Sequence, residues 1–150
     1  MHGVLAPKPA AGNTMTLSYR FLNGGRGVEF KVSWRLTTTE FMGVHTEILK
    51  RDFVAQPLLY SWFEYGDEVS RVEMSAAEYR GAAYIHASKP QSVRRVTAIY
   101  ARNDEPFARE KEWQRILAPV VEIEVFRDRA VALEWLRKRV AERHGFQIEL

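Results

Sequence analysis

The chain has 150 residues, the size of one domain, and its 46% hydrophobic and 12% aromatic content excludes a disordered polypeptide. Twenty-two basic side chains against 19 acidic ones leave a formal charge of +3, a mild excess that does not by itself mark a nucleic-acid or acidic-membrane binder. There is no cysteine, which excludes disulfides and thiolate chemistry and fits a reducing cytoplasm, and no apolar run approaches the ~20 residues of a membrane helix.

The opening, MHGVLAPKPAAGNT, is broken by Pro7 and Pro9 and is too short and proline-rich for a signal peptide. Residues 1–14 are expected to be a flexible lead to a domain over 15–150, with Met1 and Met15 both eligible as the natural start. Leu17, Tyr19 and Phe21 then alternate with Ser18, Arg20 and Leu22. After NGGRG the alternation resumes with Val28, Phe30, Val32 and Trp34. Period two on both sides of a glycine turn predicts an antiparallel hairpin with one buried face, Gly24, Gly25 and Gly27 supplying positive φ. No Lys-Ser/Thr follows those glycines, so a phosphate cradle is disfavoured.

Thr37 and Glu40 have capping-box spacing ahead of a helical stripe of Phe41, Val44, His45, Ile48 and Leu49. Pro57–Phe63 is a continuous apolar run, as in a strand buried on both faces. Ser75 opens a second helix, with Glu78 three residues on and Met74 placed to staple onto Tyr79. A strand centred on Val96–Tyr100 follows, and it and Pro57–Phe63 are expected to be the most buried strands. Asp104 is expected to cap a third helix with Phe107, Trp113, Ile116 and Leu117 on its apolar side. Val121, Ile123 and Val125 alternate with Glu122, Glu124 and Phe126 as a strand. Asp128 caps a last helix with a stripe of Ala132, Trp135, Leu136 and Val140, stopped at Gly145. Phe146–Leu150 is expected to add a short edge strand. The order ββαβαβαβα predicts an α/β domain with a mixed, mostly parallel sheet that begins with the hairpin.

That order resembles the STAS domain, the SpoIIAA-like fold of anti-sigma-factor antagonists and other small bacterial proteins. The likeness is closest in RRVTAIYARNDEPFAREKEWQRI and VEIEVFRDRAVALEWL, where Phe126, Ala132, Trp135 and Leu136 match a family pattern. It spans about Met15 to Arg143. The resemblance implies sequential strands, a partner-facing start of the second helix, a non-enzymatic regulatory role and frequent pairing into homodimers. Phosphorylatable relatives carry a D-S-[ST]-G-like serine at that helix start, where this chain has Glu73, Met74, Ser75 and Ala76. Ser75 is therefore read as a helix cap, with phosphorylation or partner contact as the functional alternative.

His2, His45, His86 and His144 form no metal-ligand spacing, and no nucleophile elbow or dinucleotide fingerprint is present. No catalytic residue, cofactor or metal is expected. His45 reads as a packed boundary residue and His86 as a group near a helix C-terminus. A Ser75–His86 dyad is disfavoured, since eleven helical residues separate them by ~16 Å. Trp34, Trp62, Phe63, Trp113 and Trp135 read as core, with an apolar pocket between sheet and helices as the alternative. Arg137, Lys138, Arg139 and Arg143 read as a solvated face. Phe146, Ile148 and Leu150 are candidates for a homodimer surface. The leading expectation is a cytoplasmic protein-interaction module whose partner the sequence does not name. The alternative is a carrier or sensor of a small, lipid-like apolar ligand.

Overall fold

A computed structural model describes residues 15–150; the expected flexible lead lies outside the described residues. Strand β1 (Leu17–Leu22) and strand β2 (Gly27–Val32) form the antiparallel hairpin, with Leu17 opposite Val32 and Leu22 opposite Gly27. Asn23, Gly24 and Gly25 all take positive φ in the turn between them. Gly27 does not. Its glycine is required by space, because a Cβ there would lie 2.1 Å from Cζ of Tyr60.

Helix α1 (Thr38–Leu49) follows a two-residue strand β3 (Leu36–Thr37). Thr37 caps it, accepting from the Glu40 amide at 3.3 Å. The Glu40 side chain does not reach back, as a capping box would require. It accepts instead from the Thr16 amide and hydroxyl and from the Leu17 amide, tying α1 to the entry of β1. Strand β4 (Tyr60–Tyr65) starts later than the apolar run suggested, since Pro57–Leu59 remain outside the ladder. A second short strand, β5 (Val72–Glu73), pairs with β3 in parallel as a separate two-stranded sheet that the expected order lacked.

Helix α2 (Ala76–Ser88) begins at Ser75 with a complete capping box. Strand β6 (Arg95–Tyr100) and helix α3 (Asp104–Leu117) come next. Asp104 does not cap α3. The cap position is Asn103, whose amide donates to Asp67 and Val69 carbonyls, and Asp104 pairs with Arg127 at 2.6 Å. Strand β7 (Val121–Phe126) shows the expected alternation, and helix α4 (Arg129–His144) is capped by Asp128 and stopped by Gly145 at φ 64°.

The main sheet runs β1-β2-β4-β6-β7, parallel from β2 onward. Helices α1, α2 and α3 cover one face with the larger core. Helix α4 covers the other through Ala132, Leu133, Leu136 and Val140 against Tyr60, Trp62, Val96, Ala98 and Tyr100. All six residues of β6 are buried, as expected of a central parallel strand. The expected edge strand at the C-terminus is absent. Ile148 is buried in the α4 core and Phe146 packs on it under the Arg26 guanidinium, so of the three candidates for a homodimer surface only Leu150 is exposed. Among the described residues no helix is long and apolar enough to cross a membrane.

The Gly27–Tyr60 approach yields a direct expectation. Gly27→Ala must push a buried ring or the hairpin aside and should lower unfolding free energy by about 1–3 kcal/mol. Urea denaturation reads this, and a loss under about 0.5 kcal/mol would show that the ring moves freely.

Candidate functional site

The parallel register points alternate residues of each strand to opposite layers. On the α1–α3 side this places Phe30 of β2, Ser61 and Phe63 of β4, and Arg95 and Thr97 of β6 in one concavity. Helices α1, α2 and α3 close it with Phe41, Val44, His45, Ile48, Tyr79, His86, Glu110 and Trp113. The cavity measures about 60 Å³. Its walls are mostly apolar, but two buried polar clusters open onto it.

The first cluster is a chain of three side chains. Arg95 Nη2 donates to His86 Nε2, and His86 Nδ1 lies 2.9 Å from His45 Nε2. A guanidinium can only donate, so His86 must accept at Nε2. The neutral His86 ring then carries its proton on Nδ1 and donates it to His45. A further proton on either ring would set two N–H groups against each other. Burial acts the same way: it lowers His45 to about 4, with the Arg95 charge adding to the effect, and holds His86 well below its usual range. The two rings stack at 5.2 Å, Phe41 extends the stack at 5.4 Å, and Trp113 meets both histidines edge-on.

Arg95 itself is 5% exposed. Its guanidinium lies 5.8 Å from the Phe53 ring centre, but Nε has no acceptor, and no carboxylate pairs with it among the described residues. Residues 1–14 contain no Asp or Glu. Burial lowers its pKa to about 10, so it stays charged at neutral pH.

The second cluster centres on Glu110, 2% exposed, which accepts from the Tyr65 hydroxyl at 2.5 Å and from the Tyr79 hydroxyl. Burial outweighs these two hydrogen bonds and pushes its carboxyl up to about 7. Between the clusters, Ser61 Oγ and Thr97 Oγ1 share a buried 2.6 Å hydrogen bond across β4 and β6.

Ser75 lies elsewhere. It is exposed at the start of α2, accepts from the Glu78 amide at 3.1 Å and donates to the Glu78 carboxylate at 2.9 Å. His86 sits at the far end of the same helix, so the structure does not bring the two together. The basic run near the C-terminus is partly pinned, Arg139 and Arg143 both binding Glu122 of β7. Among the described residues no three His, Asp or Glu side chains converge to hold a metal.

Pattern reading alone did not single out Arg95 or Glu110, yet both left a trace. Glu110 falls three residues from Phe107 and from Trp113, on the apolar side of α3. Arg95 is a cation at the start of a strand read as buried on both faces. The His45–His86 contact spans 41 residues and has no local signal. Comparison with protein-family models, with curated proteins and with solved structures returns no match for this chain.

The buried groups make stability depend on pH in opposed directions. The histidines bind fewer protons folded than unfolded, so their contribution is complete above pH 6.5 and lost as pH falls, that of His45 through about 4, at no more than about 1.4 kcal/mol per pH unit for each ring. Glu110 binds more protons folded, so its contribution is complete below pH 4.5 and lost as pH rises through about 7. Glu110→Gln removes the opposing slope. Urea unfolding at pH 6.5 and 5.0 should therefore show a steeper acid loss in the variant than in the parent, and equal slopes would refute the assignment.

Proposed function

We propose that this chain is a small cytoplasmic, non-enzymatic binding module that holds a compact ligand between its sheet and helices α1–α3, as a carrier or sensor. The observation that carries this reading is the cavity itself: apolar and aromatic walls with a few convergent, buried polar groups, the usual make-up of a small-molecule site. Its polar groups also favour binding over reaction. The Ser61 hydroxyl is engaged by Thr97, and the histidines are committed, His45 to His86 and His86 to Arg95.

Size narrows the ligand. About 60 Å³ is several times the ~10–15 Å³ that a single water needs and is well below the ~150 Å³ cavity known to take benzene. A lipid-like chain would need the aromatic walls to part. A thermal-shift panel of two- to four-carbon acids, alcohols and amides tests the reading. A true ligand at a hundred times its Kd adds ~2.7 kcal/mol, or about 5–10 °C in Tm for a chain of this length. Val44→Phe, which projects a ring into the cavity, should abolish that shift. A Tm unmoved by every member of the panel would overturn the proposal.

A regulatory docking module of STAS type is the second reading. It is favoured by the exposed face of α2, where Ser75 stands at the start and Tyr84 and Ile85 are 60% and 55% exposed. Because His86 lies on the same helix, a filled cavity and a docked partner would both act on α2. Self-association, within this reading, would use the edge strand β1, where Tyr19 and Phe21 are exposed. Ser75→Ala should lower stability by ~0.5–2 kcal/mol through loss of the cap, and Ser75→Asp should retain most of it. If Ser75 is a phosphorylation switch, the Asp variant should change partner affinity more than tenfold at nearly unchanged Tm, and substantial phosphate occupancy should be found by mass spectrometry.

A further inference from the structure

Resting on the pocket reading above, we propose that the ligand is a short-chain monocarboxylate of two or three carbons, its carboxylate received by Arg95 and its carbon body packed against the aromatic walls. The argument is one of charge and space. Arg95 is a buried cation that lines the cavity, with an unclaimed Nε–H and no carboxylate partner among the described residues. A buried charge without a counterion is costly, and bound anions relieve that cost. The histidines beside Arg95 cannot supply the missing negative charge, and their hydrogen bonding holds them neutral.

The same inventory excludes other ligand classes. A cation would meet the Arg95 charge directly. A neutral molecule would leave that charge uncompensated. A phosphate dianion would bring two negative charges to one free cation, in a cavity that also holds Glu110. A monoanion matches the Arg95 charge. A planar carboxylate accepts well from guanidinium N–H groups. The remaining volume admits only a short apolar body.

Calorimetric titration of the full chain with propionate, propionamide, alanine and inorganic phosphate tests this, on the parent and on Arg95→Met. Propionate should bind saturably in the parent, with propionamide at least tenfold weaker. Arg95→Met should lose propionate affinity at least tenfold while retaining its weak propionamide binding. Arg95→Gln serves as the second variant if the first does not fold. Propionamide binding as tightly as propionate would overturn the anion assignment and leave the pocket reading standing. Binding of none of the four would overturn the monocarboxylate assignment, and the pocket reading would rest on the wider thermal-shift panel. Alanine or phosphate outcompeting propionate would overturn the monocarboxylate class, as would propionate binding retained without Arg95.

Discussion

Every layer of this protein meets at β6. Its six residues are buried, and the two-residue period of a strand divides them between two environments. Val96, Ala98 and Tyr100 belong to the core under α4, while Arg95, Thr97 and Ile99 face the larger core under α1–α3. A one-residue slip of this strand would exchange the two sets and drive a guanidinium into the α4 core. The register with β4 and β7 therefore specifies the hydrophobic layers and, by the same act, the position of the polar cluster.

The α1–α3 core is unusual in holding groups that pure packing would avoid. Arg95, His86 and His45 form a directional chain in which each donor has one acceptor, while Glu110 is held by two tyrosines. These are satisfied networks, apart from the open end at Arg95. Buried polar networks are costly when incomplete, and the incompleteness here is localised at a single side chain on the cavity wall. Trp113 touches His45, His86, Tyr79 and Phe41, so one indole joins the aromatic walls of both clusters.

Local patterns carried the fold well. The alternation of Val121, Ile123 and Val125 stands in β7 as read, and Ser75 with Glu78, and Asp128 with Val131, cap their helices as their spacing implies. Where local reading failed, a long-range demand had won. Glu40 has the spacing to close a box on Thr37, but its carboxylate accepts instead from the amides of Thr16 and Leu17, more than twenty residues earlier. Asn103 displaced Asp104 because its amide bridges the loop after β4. Gly27 was legible as a glycine but not for its reason, which is a tyrosine ring 33 residues away. The candidate site was legible only in part. An aromatic-lined pocket was anticipated, whereas its polar members come from five separate elements whose meeting is a property of the sheet order.

That sheet order also bears on how the chain is made. Synthesis delivers strands in the order in which they pair, so each new βα unit finds its neighbour already present and the α1–α3 layer is built outward from the hairpin. The opposite face has no such sequence of partial cover. It depends on α4 and the segment after it, which leave the ribosome only after all five strands of the main sheet. Until then Trp62, Val96, Ala98 and Tyr100 lie bare on a nearly finished sheet. The interval between the emergence of β7 and the docking of α4 is the moment at which a nascent chain would most need a chaperone.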